Sequence, residues 1–562
     1  MSYTANRSRG LRRLLWPHLR PRLPALTSAL ALALLIAGLS AVQPLLTRMV
    51  IDQGLIAHRF PRLVLACSSM LALATAGFLL GGAHRAIYMR ASGGALFSLR
   101  REVYEHLLKV SPRRLAGIPV GDLVSRLDGD IAEVQRFGTD AAPSFIGSTL
   151  SLSAAGAVML GLSWQLTLLV ALLLPLQLLV RHYARPRIET STRAVRESAS
   201  TLSAFLIETL SGARHVQAAA AETVEAKRLE DLGADYLKRA LHQQWIGYAT
   251  GSCSALLGHV ATAATFVVGG WYVLRGDLSV GTLVAFAAYL GRSAGSAASM
   301  TGLYSSYHRA RVSLGRVQQL LDLPQVRESP VAVPLGPDAR GALRLEAVTV
   351  AAPAEGRPVL DAITLDIPAG TKAVLRGISG AGKSTLADLL RRFIDPDAGC
   401  ILLDGRPLSA YRLADLRRRI VVVEHSPILF RGSILENLRY GHDLIEDSRV
   451  FDAARRCGVH GFVERLPDGY ATRVGEGGAG LSTGQRQRIA IARAALAQPL
   501  IVVLDEATSG LDIDSARTMH RSLDAEFGDR TRLIITHRTA DVEDWDLCLD
   551  LEAGRIRQAV LA

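Results

Sequence analysis

A glycine-rich segment followed by a lysine and two hydroxyl residues is the part of the sequence best suited to chemistry. It begins at Gly377 and ends with Gly382, Lys383, Ser384 and Thr385, which is the spacing G-x-x-x-x-G-K-[S/T]. Glycines let the backbone curl so that several N–H groups converge on phosphate oxygens at the start of a helix. Lys383 would reach the β and γ phosphates of a nucleotide, and the Ser384 hydroxyl would ligate Mg²⁺.

The flanking residues predict the elements that hold this segment. Ala373–Leu375 is an apolar run typical of a buried strand, and the residues from Leu386 onwards have a helical pattern. A strand, a glycine loop and a helix in this order favour a phosphate-binding loop over a simple glycine-rich turn. The loop residues expected to contact the nucleotide are Gly377, Ser379, Gly380, Ala381, Gly382, Lys383, Ser384 and Thr385.

A pair of carboxylates further along the chain supplies the second half of the chemistry. The apolar run from Ile501 to Leu504 predicts a strand, and Asp505 and Glu506 follow it. One carboxylate at such a strand end can hold Mg²⁺, and its neighbour can polarise the attacking water. Asp505 is therefore expected to ligate the metal together with Ser384, and Glu506 is the expected general base of ATP hydrolysis.

Three further segments resemble, in order and spacing, the motifs of ATP-binding cassette proteins. Leu481–Gln485 resembles the signature sequence with Thr483 in place of the usual glycine, Ser509–Asp512 resembles the D-loop, and Thr536 precedes a residue that resembles the switch histidine. The resemblance implies that two cassettes hydrolyse ATP as a head-to-tail pair, with each site built from the phosphate loop of one and the signature of the other. It assigns nucleotide binding to Ser482, Gly484 and Gln485, and catalysis to His537 beside Glu506 and Lys383.

Two positions depart from the family's pattern. The aromatic residue that usually stacks on adenine is missing, and Ala352 stands in its place. Aromatic stacking contributes about 1 kcal/mol beyond area burial, so ATP affinity or base selectivity would be lower. In the segment that resembles the Q-loop, His425 replaces the glutamine that contacts Mg²⁺ and the attacking water. His425 is thus a further candidate metal ligand, and the alternative is that it faces the transmembrane part.

Composition divides the chain into a membrane part and a soluble part. Hydrophobic residues make up 49% of the 562 residues, and charged residues still reach 20%. A bilayer helix needs about 20 apolar residues. Windows of that length occur at about residues 24–47, 63–83, 141–162, 163–182, 247–274 and 279–303. The sequence therefore predicts six membrane helices and excludes a purely soluble protein.

Charge indicates how the predicted spans are oriented. Arginines crowd the N-terminal flank, which the positive-inside rule keeps in the cytoplasm. These arginines are Arg7, Arg9, Arg12, Arg13, Arg20 and Arg22. Six crossings return the chain to the side where ATP is available, so we expect a protein of the bacterial-type inner (cell) membrane with both termini cytoplasmic. Anionic lipid of the inner leaflet explains the net charge of +13, and no nucleic-acid partner is expected.

The connections between the predicted spans are unequal. Outer loops such as Arg275–Asp277 are short, whereas the inner connections, about 84–140 and 183–246, are long and helical in pattern. This resembles the exporter class of ATP-binding cassette transporters, and Pro119–Arg126 and Glu208–Gly212 resemble the loops that contact the nucleotide domain. The resemblance implies a multi-domain fold, with an all-α six-helix transmembrane domain at 1–322, a linker at 323–341 and an α/β nucleotide-binding domain of the P-loop NTPase class at 342–562.

One cassette with six helices is half a transporter, so the expected partner is a second copy, with a heterodimer as the alternative. The function that follows is ATP-driven export of an amphipathic molecule (a lipid, drug, modified peptide or secondary metabolite) by alternating access. The first alternative is an importer with the exporter fold, for instance for a metal chelate. The direction of uptake into sealed vesicles would distinguish it from an exporter. A regulatory ATPase without transport would show activity insensitive to every substrate or lipid.

Ionisable residues within the predicted spans are the only guide to the cargo, because burying them in lipid is costly unless they face water or a partner. Arg292 lies about ten residues into the sixth window, and His259 lies near the middle of the fifth. Arg292 would either line a cavity for a small, anionic amphipathic cargo or pair with another helix. His259 is a second candidate, with a structural role as its alternative.

Overall fold

The structure of the protein is a computed structural model that describes residues 14–561 apart from 352–357, 379, 443, 508–512, 538–541 and 543. Four arginines of the N-terminal cluster, Arg7, Arg9, Arg12 and Arg13, lie outside the described residues. The chain divides into two units. One combines Met1–Glu105 with Gly121–Leu321, and the other combines His106–Val120 with Asp322–Ala562.

The first unit is built from long helices rich in leucine and alanine, which favour helix. The residues that the structure describes include six of them. They are α1 (Leu14–Ile56), α2 (Phe60–Leu107), α3 (Val120–Leu162), α4 (Trp164–Ser211), α5 (Glu222–Leu274) and α6 (Val280–Leu321). A short helix, Ala213–Ala218, joins α4 to α5.

Five of these helices, α1 to α5, are long and apolar enough to cross a membrane. Helix α6 is 42 residues long, but it is not among them. Its predicted membrane window contains Arg292 and many glycine, alanine and serine residues, which lower its hydropathy. The protein is therefore a multi-pass membrane protein, and the sixth crossing stays a prediction.

A single residue separates α3 from α4. Ser163 has an extended backbone, with φ −163° and ψ 110°, and its hydroxyl accepts a hydrogen bond from the backbone N–H of Leu166. Serine is favoured at such an N-cap position because its side chain satisfies a backbone donor that has no partner within the helix. The boundary between the predicted windows 141–162 and 163–182 is thus a helix cap.

Helix α3 is not regular along its length. It contains two π-helical stretches, Ser125–Asp130 and Phe137–Ala141, on either side of the α-helical segment Ile131–Arg136. A π turn holds an extra residue, so the side chains that follow it are displaced around the helix axis, and such turns occur frequently at functional sites.

The second unit contains a six-stranded sheet in the order β12-β11-β3-β10-β9-β6, in which all neighbouring strands are parallel except β11 and β12. A four-stranded antiparallel sheet has the order β2-β1-β4-β5, and β7 pairs with β8. The strands are β1 (Leu343–Val350), β2 (Leu360–Ile367), β3 (Lys372–Arg376), β4 (Ala398–Leu403), β5 (Arg406–Pro407), β6 (Ile420–Val423), β7 (Gly432–Ser433), β8 (Arg473–Val474), β9 (Ile501–Asp505), β10 (Thr531–Ile535), β11 (Leu547–Glu552) and β12 (Arg555–Leu561).

Helices complete this α/β unit. The central strands β3, β9 and β10 are buried almost throughout, as expected for parallel strands with both faces covered. The helices are α7 (Lys383–Leu390), α8 (Leu413–Arg419), α9 (Ile434–Arg439), α10 (Asp447–Arg456), α11 (His460–Val463), α12 (Thr483–Leu496) and α13 (Ile513–Phe527).

The segment His106–Val120 belongs to the same unit as the sheets. His106 Nε2 lies 3.0 Å from the carbonyl oxygen of Leu323, and Val110 forms a strand bridge with Gln325. The segment contains a short helix, Pro112–Leu115. The part of the first inner loop that joins this unit therefore precedes the predicted segment Pro119–Arg126, most of which belongs to the helical unit.

One buried amide connects several helices of the second unit. Asn437, 2% exposed, accepts from the backbone N–H of Phe430 at 2.9 Å and donates to the carbonyl oxygens of Phe430 and Ser433. Arg493 of α12 donates to the carbonyl oxygen of Asn437 at 3.0 Å. The contacts of this side chain hold α9 on the segment that leads from β6.

We expect Asn437→Ala to lower the free energy of unfolding by about 1–3 kcal/mol, because three backbone groups would lose their partner in a buried place. The measurement is thermal unfolding of the purified protein, followed with a fluorogenic dye that reacts with the buried thiols of Cys457 and Cys548 as they become exposed. Asp468→Ala, at an exposed position, is the matched control. Equal unfolding midpoints for the two variants would contradict the role assigned to Asn437.

Candidate functional site

The loop between β3 and α7 has the backbone shape of an anion cradle. Gly380 and Gly382 have φ values of 83° and 106°, which side-chain-bearing residues rarely adopt. A Cβ atom at Gly377 would lie 2.4 Å from the carbonyl oxygen of Leu551, closer than atoms can pack. The glycines of the motif are therefore required by φ at two positions and by space at a third.

Lys383 lies inside this loop. Its side chain is buried, and Nζ donates to the carbonyl oxygens of Gly377 at 2.7 Å and Ile378 at 3.1 Å. A buried ammonium held on two neutral carbonyls is only partly compensated. The loop thus places a positive charge where the β and γ phosphates of a nucleotide would supply anionic acceptors.

Ser384 and Asp505 bring two oxygen ligands together across two elements. The Ser384 hydroxyl lies 3.4 Å from Asp505 Oδ2. Burial raises the pKa of the Asp505 carboxyl, and the neighbouring Glu506 raises it further. A divalent cation bound here would offset both effects, and these oxygens suit the hard cation Mg²⁺.

The described residues include no group of three or more His, Cys, Asp and Glu side chains able to hold a metal by themselves. Mg²⁺ keeps several waters and is usually bound by one or two protein oxygens together with substrate phosphates. Ser384 and Asp505 fit that mode of binding.

Glu506 and His537 face each other from neighbouring strand ends. Glu506 follows β9, and His537 follows β10 after one residue. His537 Nδ1 lies 3.7 Å from Glu506 Oε1, and the backbone N–H of Glu506 donates to the carbonyl oxygen of Ile535 at 2.9 Å. The arrangement resembles a base oriented by a second polar group, as hydrolysis of a phosphoanhydride requires.

His425 joins the same group. Its Nδ1 lies 3.3 Å from the backbone carbonyl oxygen of Glu506, so Nδ1 donates. In the neutral ring this leaves Nε2 as an acceptor, the form that can also ligate a metal. The structure therefore places His425 beside the proposed base rather than far from it.

The signature residues form a different cluster. Ser482 caps α12: its hydroxyl accepts from the backbone N–H of Gln485 at 3.2 Å, and the Gln485 side chain accepts from the backbone N–H of Ser482 at 2.8 Å. Gly484 lies within the same first turn. A helix N-terminus attracts anions. The described contacts of the Ser482 and Gln485 side chains are with each other's backbone N–H groups, whereas the contacts of the first cluster connect the phosphate loop, β9 and β10.

Some predicted residues cannot be placed. Ser379 of the loop, Ala352 at the expected adenine position and the D-loop segment Ser509–Asp512 lie outside the described residues.

Two contributors to the site were not evident from the sequence. Gln487, 1% exposed, donates to the backbone carbonyl oxygen of Glu424 at 3.2 Å, which ties the signature helix to the residue before His425. Burial raises the pKa of Asp388 on α7, and the guanidiniums of Arg391 and, to a smaller extent, Arg113 counteract that shift. Arg113 lies in the short helix of the inner loop, which no local pattern connects to α7.

The substrate candidates differ in their surroundings. Arg292 on α6 donates to Gln43 Oε1 of α1 at 3.2 Å, so it has the interhelical partner that its structural role requires. It also lines a small void of about 10 Å³ with Tyr289 and Ser151, roughly the space of one water. His259 is exposed on α5.

Together, the long apolar helices and the phosphate loop followed by strand-end carboxylates define a membrane protein with a P-loop ATPase unit. Comparison with known proteins agrees. Residues 26–292 match the family model described as the ABC transporter transmembrane region, and residues 360–509 match the model described as ABC transporter. The chain belongs to the ATP-binding cassette transporter family, and it binds and hydrolyses ATP.

The curated relatives include exporters. An ATP-dependent lipid A-core flippase of Xanthomonas campestris pv. campestris is 33% identical over 459 residues, which are 82% of this chain and 78% of the relative. A Staphylococcus aureus protein named for multidrug export as an ATP-binding/permease protein is 30% identical over 466 residues, which are 83% of this chain and 80% of the relative.

A solved structure supports the fold. The structure of a bacterial Atm1-family ABC exporter with ATP bound has a TM-score of 0.79 and 24% sequence identity, and the match covers 96% of this chain and 95% of that chain. The predicted fold class, a helical exporter-type membrane domain with an α/β P-loop ATPase domain, is therefore confirmed.

His425 gives a pH prediction. An imidazolium can only donate a hydrogen bond and would bring positive charge towards Mg²⁺, so protonation of His425 should lower ATPase activity and the activity should fall on acidification. His425→Gln should flatten this limb and keep activity at pH 7. The measurement is steady-state ATPase activity across pH 5.5–8.5. Superimposable pH profiles for the two proteins would contradict the hypothesis that protonation of His425 lowers ATPase activity.

Proposed function

We propose that two copies of this chain form an exporter in which each ATP site uses the phosphate loop of one copy and the signature of the other. The observation that supports this is the separation of the two clusters. Lys383, Ser384 and Asp505 lie together, whereas Ser482 and Gln485 cap another helix. A second copy in head-to-tail orientation would bring a signature to each loop. A heterodimer with a related chain is the alternative.

In the proposed mechanism, Lys383 releases its backbone carbonyls and binds the β and γ phosphates. Ser384 and Asp505 would hold Mg²⁺, and the cation would supply positive charge beside the phosphates. Glu506 accepts a proton from the attacking water, and His537 positions that water and the γ-phosphate. His425 would accept a hydrogen bond from the attacking water, or ligate Mg²⁺, through Nε2 while its ring is neutral.

The proposed assignment of domains follows the sequence: a membrane domain at 1–322, a linker at 323–341 and a nucleotide-binding domain at 342–562. The arginine-rich flank before α1 and the ATPase both favour a cytoplasmic location for the two termini, in the inner (cell) membrane. ATP bound between two cassettes would favour one orientation of the helices, and hydrolysis would remove that bias.

The proposed cargo is a small amphipathic molecule. Support comes from relatives named for lipid A-core flipping and multidrug export. Arg292 favours cargo that carries an anionic group. Uptake of a metal chelate and regulatory ATP hydrolysis without transport are the alternative functions. The direction of transport identifies the importer, and ATPase activity that is insensitive to every substrate or lipid identifies the regulatory protein.

Transport into inside-out vesicles tests the function, with Glu506→Gln as the matched non-hydrolysing protein. We expect ATP-dependent accumulation of a fluorescent amphiphile with the unchanged protein. Glu506→Gln should lower ATP turnover at least about 100-fold, since it removes the general base, while ATP stays bound. Turnover near that of the unchanged protein would remove Glu506 from catalysis. Accumulation only in right-side-out vesicles would favour the importer.

Arg292→Ala should weaken substrate-stimulated ATPase activity about tenfold for an anionic amphiphile and less for a neutral one of equal chain length, because a charged hydrogen-bond donor is lost. Arg187→Ala, at an exposed position of α4, is the control and should leave both responses unchanged. Equal losses for the two amphiphiles would assign Arg292 to helix pairing with Gln43.

A further inference from the structure

Helices α3 and α6 run antiparallel and pack against each other at two levels. Towards the cytoplasmic end predicted from the sequence, Arg309 Nε donates to Glu133 Oε1 at 2.6 Å, and Ser313 donates to the buried carboxylate of Asp130 at 2.8 Å. At the other level the two helices share an apolar cluster. Its members include Ala155, Met159, Phe286, Tyr289 and Leu290.

Between these levels residues of both helices line a partly open cavity of about 610 Å³. That volume lies in the range of pockets that bind small molecules. The walls combine charged, hydroxyl and apolar groups. The lining includes Glu133, Arg136, Phe137, Asp140, Leu303 and Arg309, and Ala141 and three serines complete it.

The sequence places these residues on facing stripes. Glu133, Phe137 and Asp140 are three and four residues apart, and Leu303 and Arg309 lie on the opposing stripe of α6. The second π-helical stretch, Phe137–Ala141, lies at the cavity. Since a π turn displaces side chains around the helix axis, it helps to bring both Phe137 and Asp140 to the cavity wall.

The charges of the cavity are unevenly satisfied. Glu133 is shared by two guanidiniums, those of Arg136 and Arg309. Arg309 also donates to Ser306 at 3.0 Å. Each guanidinium has five N–H donors, so one shared carboxylate leaves donors available for an anion. Asp140 is exposed to the cavity and has no ion pair or hydrogen bond with any residue that the structure describes.

We propose that this cavity binds the head of a zwitterionic amphiphile. The ammonium group pairs with Asp140, the anionic group accepts from Arg136 and Arg309, and the apolar part lies against Phe137 and Leu303. This inference rests on the proposed export of an amphipathic cargo and names its class. A membrane lipid and a soluble zwitterion share the head chemistry, and the test separates these two sources.

The alternatives to a zwitterion fit the lining less well. A simple anion would leave Asp140 without a counter-charge and would be repelled by it. A simple cation would be attracted by Asp140 but repelled by the two guanidiniums that share one carboxylate. A neutral amphiphile would leave these charged groups desolvated and unpaired when it displaced water from the cavity.

The test is ligand retention by the full-length protein in mild detergent, measured by native mass spectrometry without nucleotide. The probes are dihexanoyl phosphatidylethanolamine, dihexanoyl phosphatidylglycerol and chain-free glycerophosphoethanolamine. We expect the unchanged protein to prefer the ethanolamine lipid over the glycerol lipid. Asp140→Asn should weaken retention of the ethanolamine lipid about tenfold, and it should strengthen retention of the anionic glycerol lipid because a repelling charge is removed. Arg136→Gln should weaken both.

Asp231→Asn is the matched control, since it makes the same change at an exposed position of α5 and should change nothing. Weak retention of the chain-free probe would identify a lipid as the source. If the chain-free probe is retained as well as the ethanolamine lipid, and Asp140→Asn loses that retention, the source is a soluble zwitterion. If Asp140→Asn does not fold, Ser144→Leu fills the cavity and should abolish retention.

Equal retention of the two lipids by the unchanged protein, or no effect of Asp140→Asn on the ethanolamine lipid, overturns the proposal. Because the assay uses no ATP, its failure is separate from failure of the proposed function. Vesicle transport that persists without retention contradicts only the cavity assignment. Retention without transport of any amphiphile contradicts the exporter.

Discussion

The parallel pairing of β3, β10 and β9 is the constraint on which the chemistry of this protein depends. Backbone hydrogen bonds extend the ladder past the strands, from Thr536 N–H to the carbonyl oxygen of Leu375 at 3.2 Å and from Glu506 N–H to that of Ile535 at 2.9 Å. Because parallel strands end at the same edge, the phosphate loop, Glu506 and His537 meet there. The side chains need only short reaches to form one site.

The same edge brings opposite charges close together. Lys383 is buried among carbonyls, while the pKa of Asp505 is raised by burial and by Glu506. Each of these groups is incompletely compensated by the protein, and a nucleotide with its cation would supply what is missing. Binding of ATP with its cation would therefore stabilise the charges of Lys383, Asp505 and Glu506, which folding brings close together.

The helical unit follows another rule, because its interior is packed from helix faces rather than strand edges. Helices α3 and α6 are joined by polar pairs at one level and by an apolar cluster at the other. Between these two levels lies the π-helical stretch Phe137–Ala141, and residues of both helices line a cavity there. Its lining combines a saturated carboxylate with one that has no described partner, and such an imbalance is what a ligand of matching charge can satisfy.

The sequence by itself determined the family, the ATPase chemistry and the multi-pass membrane character, because the phosphate loop, the strand-end carboxylates and the long apolar runs are local patterns with a fixed physical meaning. It also predicted that one membrane helix ends, and the next begins, at about residues 162 and 163. Only the tertiary structure decided that Arg113 lies near Asp388, that Gln487 binds the backbone before His425, that Arg292 pairs with Gln43 and that Asp140 lines a cavity with Arg309. These contacts join residues far apart in the chain, and packing rather than periodicity sets the distance between them.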